Sequence, residues 1–202
     1  QQSDMIPIVD DANLQSIMLV CQNGVDSAVV TALTILARID ADNKLYGKEE
    51  QLDVTFVADQ TEVYFGICGD EERYIPVVLA PAFEKLLGEG AFLRQMGSRF
   101  LMTDTAYEHL AGKDSYAGRY IGRLKNTDLD LGLYDIYDDR SAEQIRLMKQ
   151  TRHAFDKAME LYEKGFYYEA KNLYACVLRE NPGDMAAKYY IFRCEALQEK
   201  NQ

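Results

Sequence analysis

Side chains able to do chemistry are few and scattered in this sequence. The two histidines, His109 and His153, fall on segments of helical spacing, and neither has a Cys, Ser or Asp arrangement of catalytic type nearby. Surface or packing roles are expected for both. The four cysteines, Cys21, Cys68, Cys176 and Cys194, form no CxxC pair, which argues against a zinc or redox motif and for buried structural thiols in a reducing, cytoplasmic setting. Asp70-Glu71-Glu72 beside Gly69 could be read as a metal loop, but calcium loops alternate their ligands over about 12 residues, and a solvated turn is the expectation. Gly66-x-x-Gly69 is too short for a phosphate-binding fingerprint, and no strand-GxGxxG-helix or Walker pattern occurs.

The elements that would position these groups read as two textures. Met5 to Val9 and Ser16 to Gln22 are apolar runs split by a polar stretch, the pattern of a hairpin. Apolar residues at helical spacing predict a helix from Asp26 to about Ile39, followed by a loop over Asp40 to Gln51. Leu52 to Ala58 and Glu62 to Cys68 read as strands around the turn Asp59-Gln60-Thr61. A second helix is expected over Ala80 to Gln95, ending at Gly97. A short strand from Arg99 leads to a Thr103-capped helix through His109. Tyr116 to Leu124 and Leu129 to Tyr137 close the alternation, which predicts an α+β domain, an open sheet with helices on one face, over residues 1–140. After Asp138-Asp139-Arg140 the texture is helical, beginning with Ser141 as N-cap of a helix to Lys164.

The chain has 202 residues, 48% hydrophobic, enough for one medium domain or two small ones with a packed core. Its net charge of −11 is uneven: residues 1–140 carry 24 acidic and 12 basic side chains, and residues 141–202 carry 9 and 10. A surface this acidic disfavours nucleic acid and anionic lipid, whose binding starts with Lys and Arg neutralising phosphates. No apolar run approaches the roughly 18 to 20 residues of a membrane span, and no secretory signal opens the sequence. It starts on Gln rather than Met, and is expected to be a piece of a longer polypeptide.

Gly165-Phe166-Tyr167-Tyr168-Glu169-Ala170, followed by Tyr174, Val177 and Pro182, resembles the tetratricopeptide repeat. In that family a Gly turns one helix into the next, a small residue permits close packing, an aromatic fills the groove and a Pro ends the hairpin. Gly165, Ala170, Tyr174 and Pro182 take those roles, with a partial next helix from Asp184 to Glu199. One repeat and a half cannot form a solenoid. The tyrosines Tyr162, Tyr167, Tyr168, Tyr174, Tyr189 and Tyr190 could line a peptide groove, but a packing role is favoured, the hairpin docking on its own domain or on a dimer partner.

Three stretches together resemble the class III adenylate/guanylate cyclase homology domain in the bacterial form with a tetratricopeptide-like tail. Glu62 to Arg73 (EVYFGICGDEER) is similar to its strand-turn segment. Ile75 to Leu110 runs parallel to its strand, dimerisation-arm helix, Gly, strand and Thr-Tyr helix, with Gly97 and Thr105-Ala106-Tyr107 in place. Leu133-Tyr134-Asp135-Ile136-Tyr137, then Ile145-Arg146, Phe155 and Glu160-Leu161-Tyr162, is similar to the exit from its last strand. The resemblance implies a ferredoxin-like, cyclase-type sheet followed by an all-α helical-hairpin tail. It also implies pairing with itself or another cyclase-type domain, partly through the helix Ala80 to Gln95. That family uses two aspartates to hold two Mg2+ or Mn2+ ions, an Asn and an Arg to orient the ribose and stabilise the transferring phosphorus, and a Lys with an Asp or Thr to read the purine.

Position by position, those groups are replaced. The second metal Asp falls on Gln15, the purine-reading Lys on Asp11, the other base reader on Ile75, the Asn on Glu84 and the Arg on Gly88; Thr61 takes the place of a turn Gly. The strand carrying the first metal Asp would lie before residue 1. A neutral Gln is a poor ligand for a hard cation, and losing one preorganised electrostatic group typically costs on the order of 100 to 1000-fold in rate. The expectation is a non-catalytic regulatory or dimerisation module of bacterial signal transduction, with no cofactor. The alternatives are a purine nucleotide cyclase active only within a longer chain or with a partner, and a protein-interaction module working through the tail.

Overall fold

A computed structural model describes residues 5–9, 17–21, 23–69, 73–79, 90–124 and 130–200. Its order is β1 (Met5–Val9), β2 (Ile17–Cys21), α1 (Val25–Asn43), β3 (Phe56–Ala58), β4 (Tyr64–Gly69), β5 (Tyr74–Leu79), α2 (Gly90–Gln95), β6 (Phe100–Thr103) and α3 (Asp104–Glu108). A 3-10 turn (Lys113–Ser115), β7 (Gly118–Leu124), β8 (Leu131–Ile136), α4 (Ala142–Glu163), α5 (Tyr167–Glu180) and α6 (Met185–Lys200) follow. The fold is thus mixed α+β.

The central sheet is four-stranded and mixed, in the order β3-β6-β8-β7, with β3 parallel to β6 and the other pairs antiparallel. β1 and β2 form a separate antiparallel pair, as expected of a hairpin, and β4 and β5 form another. The strands on either side of Asp59-Gln60-Thr61 therefore belong to different sheets. β3 is also shorter than Leu52 to Ala58. The cause is Asn43 at the end of α1, whose side-chain amide donates to the Leu52 carbonyl and whose oxygen accepts from the Leu52 N–H, both at 2.8 Å. That pair of bonds ties the chain to the helix end and delays the strand.

Helices cover both faces of the central sheet, not one. All four residues of β6 are buried, and the alternation of a strand sends them to opposite sides. Phe100 and Met102 pack with Val29, Ala32 and Leu36 of α1 and with Ala106 of α3. Leu101, with Ile121 of β7 and Leu133 of β8, packs with Phe155 and Met159 of α4, Tyr174 of α5 and Tyr190 of α6. The apolar run Phe100-Leu101-Met102 is the sequence signature of a strand covered on both sides. Residues C-terminal to Arg140 supply the second cover, starting from Ser141, whose side chain caps α4 in a capping box with Gln144.

At Gly122, where the β7–β8 register shifts, φ is +114°. A Cβ there would stand 2.1 Å from the Tyr190 hydroxyl, which donates to the Ile121 carbonyl at 2.6 Å. Gly122→Ala is expected to destabilise the fold by about 2 to 4 kcal/mol, combining backbone strain with a lost buried hydrogen bond. Chemical denaturation measures it, and the loss should shrink in a Tyr190→Phe background, where the clashing hydroxyl is gone.

Candidate functional site

Of the positions where the sequence analysis placed replaced nucleotide-site groups, Asp11, Gln15, Glu84 and Gly88 lie outside the described residues. So do most of the expected Ala80 to Gln95 helix, of which Gly90–Gln95 is described, and the whole Asp70-Glu71-Glu72 run. Ile75 lies on β5, paired with Cys68 of β4. Thr61 is exposed in the link between β3 and β4. Among the described residues, no group of three or more His, Cys, Asp or Glu side chains is placed to hold a metal ion. His109 and His153 are both exposed, and His109 Nδ1 lies 2.8 Å from the Thr105 carbonyl of its own helix.

The cysteines depart from the expectation of burial. Cys194 is buried among the C-terminal helices, and that burial pushes its thiol up to about 11. Cys68 is exposed on β4, while Cys21 and Cys176 are half-buried. The difference follows from the ribbon on which Cys68 sits.

That ribbon is the most distinctive surface of the molecule. β4 pairs with β5 from Tyr64↔Leu79 to Gly69↔Tyr74, and all six β4 residues are exposed. Phe65 is 56% exposed, Ile67 77% and Tyr74 70%. A β-strand with one face on a core alternates buried and exposed residues; β4 does not alternate. Among the described residues β4 and β5 pair only with each other, a two-stranded ribbon is at best marginally stable in water by itself, and exposed apolar side chains gathered on one strand mark an interaction surface.

Gly165 carries the positive φ, +86°, that turns α4 into α5, and Ala170 and Tyr174 are fully buried. Pro182 follows the end of α5 and is exposed. Tyr174 stacks on Tyr190 at 5.3 Å, Tyr162 meets Tyr190 edge-on at 4.8 Å, and Tyr189 meets Phe92 of α2 at 5.5 Å. These rings are packing residues. Burial raises the Tyr174 and Tyr190 hydroxyls well above their usual range, as expected of neutral core groups. Tyr168 alone of the six is exposed.

One buried charged cluster escaped the sequence reading. Arg119 of β7 is fully buried and grips Asp184 with two hydrogen bonds, 2.6 and 2.9 Å. Its guanidinium lies 4.0 Å from the centre of the Phe155 ring, and its Nε is 3.9 Å from Asp135, also fully buried. Asp135 in turn accepts from Arg140, which also donates to the Gly97 carbonyl. Burial pushes the Asp135 carboxyl up, against the pull of Arg140 and Arg119. Asp184 resists its own burial because the Arg119 charge and hydrogen bonds hold it below its ordinary value. The available signal was weak: a lone Arg in the apolar run Gly118-Arg119-Tyr120-Ile121, and an Asp placed to cap a helix.

Comparison with protein-family models, curated proteins and solved structures finds no match.

Proposed function

We propose that the chain is a non-catalytic regulatory and dimerisation module of the class III cyclase homology type, acting in bacterial cytoplasmic signalling and pairing with a second copy. The observation that carries this reading is β4, whose six residues are all exposed, the large apolar side chains of Phe65 and Ile67 among them. The order of motifs from Glu62 to Tyr137 supports the cyclase-type assignment, and the ferredoxin-like arrangement of the sheet and the tetratricopeptide-like helices belong to the same proposal. On that alignment the catalytic machinery is degraded, with Gln15, Glu84 and Gly88 replacing an Asp, an Asn and an Arg. The residues present do not suit a pair of divalent cations, because Gln offers a neutral amide oxygen where Mg2+ favours carboxylate. Of the described residues, no helix is long and apolar enough to cross a membrane.

Sedimentation equilibrium tests the pairing. The chain is expected to form a dimer, and Phe65→Ser with Ile67→Ser, both on the exposed face of β4, to weaken it by about 100-fold or more. That estimate follows from the roughly 1.5 to 3 kcal/mol that burial of each large apolar side chain contributes. A monomer at every concentration, with an unchanged circular dichroism spectrum, overturns the reading. Formation of cyclic nucleotide from ATP or GTP with Mn2+ by the purified chain would favour the cyclase alternative instead.

A further inference from the structure

Of the asparagines in the chain, Asn23 alone is followed by a glycine. That order matters chemically. The main-chain nitrogen of the residue after an asparagine can attack the side-chain carbonyl carbon, and glycine, which has no Cβ, hinders the approach least. Asn23 and Gly24 stand between β2, which ends at Cys21, and α1, which begins at Val25. Both are exposed, so water and hydroxide reach the pair in the folded chain.

The fold itself demands this glycine. Gly24 has φ +81° and ψ −176°, a combination open essentially to glycine alone. It is also the N-cap of α1. A serine there would cap the helix and slow the attack, but its side chain does not tolerate that backbone. The conformation that turns β2 into α1 therefore keeps the labile pair in place. The other described asparagines each lack one part of the arrangement. Asn43 has its side chain tied to Leu52 by two bonds of 2.8 Å. Asn172 is exposed but lies within α5, and the nitrogen of Leu173 that would attack sits in the helical ladder. Asn181 precedes Pro182, whose nitrogen has no hydrogen to lose.

We propose that Asn23-Gly24 is a site of spontaneous deamidation that yields isoaspartate and aspartate at the entrance to α1. The Gly24 nitrogen gives up its proton and bonds to Asn23 Cγ. The bond from Cγ to the side-chain nitrogen breaks, and that nitrogen leaves as ammonia with the equivalent of the proton Gly24 lost. Water, the only co-reactant, then opens the five-membered ring. Breaking it at Cγ leaves aspartate; breaking it at the main-chain carbonyl leaves isoaspartate, in which the chain runs through Cβ and Cγ and the α-carboxylate is free. That carboxylate is the group a protein-carboxyl methyltransferase esterifies, so methyl transfer is the class of reaction that consumes this product.

Both products add a carboxylate, but isoaspartate also lengthens the link between β2 and α1 by one methylene. The start of α1 is anchored on two sides. Val25 is buried, and Asp26 accepts from the Ala111 and Gly112 N–H groups at 3.1 and 3.2 Å, which fixes the loop after α3. The extra methylene works against that tether. Isoaspartate thus loosens the Ala111-Gly112 loop, while aspartate leaves it in place. The site is separate from the β4/β5 ribbon and does not depend on the cyclase resemblance.

The test incubates the purified full chain in mildly alkaline buffer and maps its asparagines by mass spectrometry. Methyl uptake from S-adenosylmethionine, catalysed by an added protein isoaspartyl methyltransferase, is the second readout. The mass gain of an amide turned to an acid is expected at Asn23 ahead of Asn43, Asn172 and Asn181, with methyl uptake on the same peptide. Near neutral pH the rate should rise about tenfold per pH unit, because the attacking nitrogen must first lose its proton. Asn23→Gln, which would have to close a larger ring, should lose both signals with an unchanged circular dichroism spectrum. The isoaspartate form, separated by chromatography, should exchange the Ala111 and Gly112 amides faster than Asn23→Asp, which carries the charge without the methylene. Three results overturn the proposal: Asn23 stays an amide in the folded chain, which means that the fold protects it; Asn172 converts as fast, which removes the selectivity; or aspartate forms without methyl uptake, which excludes the ring. Equal exchange at Ala111 and Gly112 in the isoaspartate form and in Asn23→Asp overturns the effect on the loop.

Discussion

A chain cut after Arg140 is expected to lose cooperative folding altogether. The sheet face that carries Leu101, Ile121, Leu124 and Leu133 is covered by Phe155, Met159, Tyr174 and Tyr190, which all lie beyond the cut. Burying one aliphatic side chain of this size is worth about 1.5 to 3 kcal/mol. Exposing four of them costs about 6 to 12 kcal/mol, as much as the entire stability of a typical domain. The cut also removes Asp184 and leaves the Arg119 guanidinium without its bidentate partner in a face now open to water. Thermal unfolding of residues 1–140 followed by circular dichroism should show no sharp transition, whereas the full chain should unfold cooperatively. A truncated chain that melts within a few degrees of the intact one would show that the C-terminal helices are an appended module. It would then restore the reading of their tyrosines as a groove for another protein.

Why this dependence was only half legible follows from particular residues. Helical periodicity after Ser141 and the Gly165, Ala170, Tyr174 and Pro182 spacing announced a helical hairpin, because those positions answer to local geometry. Where the hairpin docks is a long-range matter. It shows only in β6, where three consecutive apolar residues admit either a doubly covered strand or a short buried helix segment. The separation of β3 from β4 was hidden for a similar reason: Asp59-Gln60-Thr61 has the composition of a hairpin turn, but β3 finds a parallel partner in β6, more than forty residues on. There the Asp59 carboxylate accepts from the Thr103 hydroxyl at 2.6 Å and binds the end of β3 to the cap of α3. Thr103 itself was recognised as a cap, since capping is local. The apolar residues of β4 read as a strand but gave no sign of being exposed, because exposure depends on what fails to pack against them.

The buried pair at the centre of this dependence yields the second large effect. Arg119→Met is expected to cost about 3 to 5 kcal/mol, the usual result of stranding a buried charge, because Asp184 and Asp135 then sit in the core with one cation fewer. Asp184→Asn should cost less: the amide oxygen can still accept from the Ala187 N–H at 3.0 Å and from Arg119 Nη2, while the charge and the acceptor for Arg119 Nη1 are lost. Replacing both, as Arg119→Met with Asp184→Leu, should be less harmful than the sum of the single changes by about 2 kcal/mol, since neither charge is left alone. Urea denaturation of the four chains gives that coupling, and additivity would show that the two residues do not act as a pair. The pair also contributes to the acid limb of the stability profile. Asp184 is held below its ordinary value of 3.8, so its contribution is complete above that pH and is lost as pH falls through its lower folded value. Asp135 is shifted the other way by burial. The cost of keeping it charged is complete above its folded value and is relieved as pH falls toward 3.8, so the two carboxyls tilt the profile in opposite directions. In Asp184→Asn the loss below pH 3.8 should be shallower than in the parent while the relief above it remains. A parallel acid limb in both chains would move the linkage to other carboxylates.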